Sequence, residues 1–156
     1  MFIWYIYGVI AVEWFNLFGM LFIIIIMVPN IIFAIKCSDK FENRFKNKVI
    51  EIVEQIGRYG CFCFMMFNIP NTGFGFSSDE AFALYLIINA CLVFAYCVIW
   101  VICFKKDNMF KAISLSVILS VVFLFSGFIS HSVLLIASAI LFAPTHILIS
   151  CKNASK

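Results

Sequence analysis

The stretch Trp14–Lys48 reads WFNLFGMLFIIIIMVPNIIFAIK-CSDKFENRFKNK, and its two halves decide the fold. The first half runs from Trp14 to Ile35 without a charged residue. A helix of that length covers the roughly 30 Å hydrocarbon core of a bilayer, which takes about 20 apolar residues. The second half packs Lys36, Lys40, Arg44, Lys46 and Lys48 into a short polar segment. An apolar run followed at once by a cluster of basic residues is the signature of a transmembrane helix entering a cytoplasmic loop.

The pattern repeats along the chain. Further apolar helices are expected at about 49–69, 81–104, 112–127 and 132–150. One helix over 112–150 would be about 58 Å long at 1.5 Å per residue, too long for one crossing. A hairpin near Ser130 is therefore expected. Lys105, Lys106 and Lys111 follow the third helix, and Lys152 and Lys156 follow the fifth. With five crossings, all three basic clusters fall on one side, and the other side keeps only Glu13, Asp79 and Glu80. The sequence thus predicts an all-α polytopic bundle of about five transmembrane helices, N-outside and C-inside; its richness in Ile, Phe, Lys and Asn fits an AT-rich bacterial genome, hence the expectation of a bacterial plasma membrane. Residues 1–156 are expected to form a single transmembrane domain. Residues 1–12, apolar and aromatic, extend the first helix or lie at the interface.

Composition agrees. Of 156 residues, 65% are hydrophobic and 12% charged, and the mean hydropathy is +1.10. Soluble domains are about half apolar and a quarter charged. The formal charge of +3 belongs to loop lysines, and no nucleic-acid surface is expected. A secretory signal peptide is not expected, since Met1 to Val12 carries no Lys or Arg and no small-residue cleavage site follows a basic start. The lipid bilayer is the expected partner, with a membrane-protein partner or a second copy of the chain beside it.

Cys61 and Cys63 stand two apart, so on a helix they point about 200° apart and cannot share a metal. Cys91, Cys97 and Cys103 share no face either. No metal and no cofactor are expected. Phosphate-loop, dinucleotide, zinc-protease and serine-hydrolase patterns do not occur in the sequence.

The polar residues inside the spans need explanation, because an ionisable side chain at the centre of a membrane helix is costly, roughly 2.5–3.5 kcal/mol. Glu54 and Arg58 stand four apart, acid first, which favours an ion pair along one helix. Counted from the cytoplasmic ends, Asn30 and His146 fall in the same inner half of the bilayer. Asn30, Glu54, Gln55, Arg58 and His146 are therefore the candidate polar cluster, suited to an ion, a proton or a lipid headgroup. The competing reading makes Glu54–Arg58 a self-contained pair, with Asn30 and His146 as interhelical glue. Glu13 is a secondary, outer candidate. With its neighbours it resembles the membrane-embedded glutamate of small multidrug exporters, although the rest of the chain lacks that family's pattern. Asn89 is expected to be packed. No catalytic residue is assigned, since His131, Ser132 and His146 form no recognised arrangement.

The run Glu51-Ile52-Val53-Glu54-Gln55-Ile56-Gly57-Arg58-Tyr59-Gly60-Cys61 resembles a segment of uncharacterised small multi-pass membrane proteins of clostridial-type bacteria. The resemblance covers about the first 70 residues. It implies the membrane fold but no activity and no functional residue. Among function classes, an accessory or interaction protein ranks first. A small-solute, ion or lipid transporter or binding protein comes second, and an enzyme last.

Overall fold

The computed structural model describes residues 14–36, 45–69, 72, 74–104 and 108–155. The described residues form five helices: α1, Leu17–Lys36; α2, Lys48–Met66; α3, Asp79–Ile102; α4, Met109–Ile129; and α5, Val133–Ala154. Among the described residues there is no β-strand, only an isolated antiparallel bridge between Phe15 and Phe67. Four helices, α1, α3, α4 and α5, are long and apolar enough to cross a membrane. The exception is α2, which carries Lys48, Glu51, Glu54 and Arg58.

Side-chain caps set the helix ends. Asn16 accepts from the Gly19 N–H at 3.0 Å, so α1 starts at Leu17, later than the apolar run suggests. Trp14 and Phe15 instead pair with the chain leaving α2: Asn68 N–H donates to the Trp14 carbonyl and Asn16 N–H to the Met66 carbonyl. That pairing also ends α2 at Met66, before the expected Ile69. Asn47, Ser78, Asn108 and Ser132 cap the other four helices. The cap at Asn108 starts α4 at Met109, so Lys111 lies in a helix and not in a loop.

The turn between α4 and α5 is shorter than the sequence suggests. Ser132 N–H donates to the Gly127 carbonyl and His131 N–H to the Phe128 carbonyl, while His131 takes φ 53°. These bonds close a Schellman motif with a left-handed residue, which reverses the chain in three residues.

Each helix packs on two neighbours in a closed ring, α1–α2–α5–α4–α3 and back to α1, with α2 also touching α4 across it. Consecutive helices alternate in direction. At one end Gly75 N–H donates to the Ser130 carbonyl, and the Trp14–Asn68 pairing joins α1 to α2. At the other, Phe45 N–H donates to the Asn153 side chain. Thus α2, although too polar to qualify alone, runs the height of the bundle; its 19 residues make about 28 Å. Among the described residues, Lys36, Lys46, Lys48, Lys111 and Lys152 all belong to the second end, and Asp79 and Glu80 to the first.

The core is apolar and aromatic, with Ile26, Met65, Tyr85, Val122, Phe123, Leu135 and Phe142 fully buried. The outside is apolar as well: Val101 is 79% and Phe94 71% exposed. Water would not tolerate such a surface over whole helices, whereas hydrocarbon does. The molecule is a helical membrane bundle.

Candidate functional site

The polar centre forms where α2 crosses α5. Gly57 permits the approach: a Cβ there would stand 2.7 Å from the backbone nitrogen of Phe142 and 2.9 Å from its Cα. Gly60 meets Ser138 one turn later. Small residues let helix backbones close up, and polar side chains can then meet.

Glu54, one turn before Gly57, is 2% exposed. Its Oε1 accepts from Arg58 Nε at 3.1 Å and from an Arg58 terminal nitrogen at 2.5 Å. The same oxygen lies 2.9 Å from Nδ1 of His146 on α5. The imidazole is fixed from its other side by Phe142, stacked at 4.5 Å and 20°. Thr145 turns its hydroxyl back onto the Leu141 and Phe142 carbonyls, next to Pro144, which has no N–H to donate. Arg58 is partly exposed while the carboxylate is nearly sealed. The arrangement pairs one buried carboxylate with a guanidinium and places an imidazole at hydrogen-bond distance from it, joining two helices through a single oxygen.

Of the five residues proposed as a cluster, Glu54, Arg58 and His146 converge. Asn30 does not reach them by a described hydrogen bond. Its amide donates at 2.7 Å to both the Tyr96 hydroxyl and the Ile26 carbonyl, linking α1 to α3. Gln55 is exposed and stands outside both groups. One step along a helix turns a side chain by about 100°, so Gln55 cannot share the direction of Glu54, whereas four steps bring Arg58 back to it. Glu13 lies outside the described residues.

Three residues, Tyr85, Tyr96 and Lys111, were not anticipated, whereas the packing of Asn89 was. Tyr85 and Tyr96 are the α3 partners of Asn16 and Asn30. They belong to a buried α3 stripe of Tyr85, Asn89, Val93, Tyr96 and Trp100, whose helical spacing was a usable signal. Asn89 is packed, donating to the Tyr85 carbonyl and accepting from the Ser126 hydroxyl. Lys111 is buried, with Nζ 4.1 Å from the Phe33 ring centre and 4.3 Å from that of Trp100. Nothing in the sequence around Lys111 distinguished it from the loop lysines.

Among the described residues, no three His, Cys, Asp or Glu side chains come together as a metal site. The chain matches no family model, no curated protein and no solved structure.

Proposed function

We propose that the chain is an accessory or interaction protein of a bacterial plasma membrane, crossing it five times with the N-terminus outside and the lysine-bearing end inside. The observation that carries this reading is Gln55. It is exposed on the outer face of α2 beside Ile52 and Ile56, each more than half exposed. It lies about 10 Å along the helix from Lys48. An amide at that depth gains a hydrogen-bonding partner when another membrane helix packs against it. The inward polar groups, by contrast, find partners within the bundle: Glu54 with Arg58 and His146, Asn30 with Tyr96, Asn89 with Ser126, and Ser116 with Ser150. Membership among the small multi-pass proteins that share the Glu-Gln-Ile-Gly-Arg segment is part of the same proposal.

A photo-crosslinking residue at Ile56 tests the reading, with one at Phe94 as control. A discrete protein adduct from position 56 alone is the expected result. Lipid adducts only, at both positions, would overturn it. For orientation, Cys37 and Cys151 should react with an impermeant thiol reagent only after the membrane is opened.

A second reading, proton or ion binding, draws on Glu54 meeting His146 in the inner half of the bundle. Proteoliposomes that dissipate an imposed proton gradient with the native chain, but not with a folded Glu54→Gln variant, would favour it.

A further inference from the structure

We infer that the chain carries a binding site for one anionic phospholipid on its outer surface, in a groove between α1 and α3 at the lysine-bearing end. The groove has a volume of about 620 Å³ and is separate from the Glu54 centre. Ile25, Val28 and Ile32 line it from α1, and Cys97 and Val101 from α3. Val28, Ile32 and Val101 are all exposed, so it opens where the bundle meets lipid.

Two observations identify the occupant. The first is length. From Ile25 to Lys36 the groove follows α1 for eleven residues, about 16 Å. That is half of a roughly 30 Å hydrocarbon core, the span of one acyl chain from the headgroup level to the bilayer midplane. The second is charge. Among the described residues, Lys36 is the only charged one lining the groove, and it is the last residue of α1, at the headgroup end. An apolar slot with an ammonium at its mouth matches a fatty chain below a phosphate. A headgroup with net negative charge fits better than a zwitterionic one, whose own cation competes with Lys36.

Trp100 lines the groove and provides the reporter. With Trp4→Phe and Trp14→Phe it is the only tryptophan left. This variant is reconstituted in phosphatidylcholine vesicles containing equal fractions of dibrominated phosphatidylglycerol or dibrominated phosphatidylcholine. Both leaflets then carry the probe, so the outcome is independent of orientation. Quenching of Trp100 should show a preference of about fivefold for the anionic lipid, the contribution of one lysine at a membrane surface. Lys36→Ala should abolish the preference and Lys152→Ala should leave it intact. Equal quenching by the two lipids would overturn the site. So would an equal fall in both lysine variants, which would mean diffuse surface charge. Should the tryptophan substitutions unfold the chain, native mass spectrometry of the unsubstituted protein and its Lys36→Ala variant with the same two lipids makes the same comparison.

Discussion

His146 Nδ1 lies 2.9 Å from Glu54 Oε1 across 92 positions of sequence, and this contact ties α2 to α5. Without it and Arg58, the most polar helix of the bundle would present a bare carboxylate to an apolar interior. Breaking such a set is costlier than never having built it, because the remaining charge stays buried.

Arg58→Ala should therefore lower stability by on the order of 3 kcal/mol, since Glu54 cannot reach water. Glu54→Ala should be costly as well, because Arg58, about 15 Å along α2 from Lys48, then loses its anion inside the span. The double variant Glu54→Ala/Arg58→Ala should be more stable than Arg58→Ala alone. Unfolding in detergent measures all three, and strict additivity of the two losses would show that the side chains are not coupled.

Gly57→Ala should push α2 away from α5. The added Cβ meets the Phe142 backbone, which cannot swing aside as a side-chain tip can. A loss of about 1–3 kcal/mol is expected from such overpacking. Gly75→Ala is the control: a Cβ there meets nothing within 4 Å, and the change should stay within about 0.5 kcal/mol of zero. A Tm for Gly57→Ala equal to that of the control would contradict the close crossing.

His131→Gly should stabilise the α4–α5 turn. His131 holds φ 53°, where its Cβ crowds the following carbonyl and glycine has none. Relief of that strain is expected to contribute about 1 kcal/mol, read as a rise in Tm. His131→Val, β-branched, should shift Tm the opposite way.

Lys111→Met should destabilise the lysine-bearing end although it replaces a charge with an apolar chain of similar length. The ammonium lies over both Phe33 and Trp100. Loss of a desolvated cation–π contact is expected to cost about 2 kcal/mol. Trp100 emission together with thermal unfolding would detect it; an unchanged Tm would mean that the rings contribute only packing.

That the chain is a membrane bundle, roughly where its helices lie, and how far along its helix each polar residue sits were all legible in its residues. Uninterrupted apolar runs have one good solvent, lipid, and residue count converts directly into distance along a helix. Even α2 was legible as a helix, because Glu54 and Arg58 fall four apart, acid first, the spacing of an ion pair along one helix. The packing of the helices on one another set which way each side chain points around its helix axis. It turned Glu54 to His146 and not to Asn30, left Gln55 outside, and buried Lys111 under two rings. The physical reason is the solvent. A helix in water shows its buried face by contrast with a polar one, but a helix in lipid is apolar all round, so its sequence carries depth and loses direction. Direction is then set by where glycines such as Gly57 let backbones close, a property of two helices together and of neither alone.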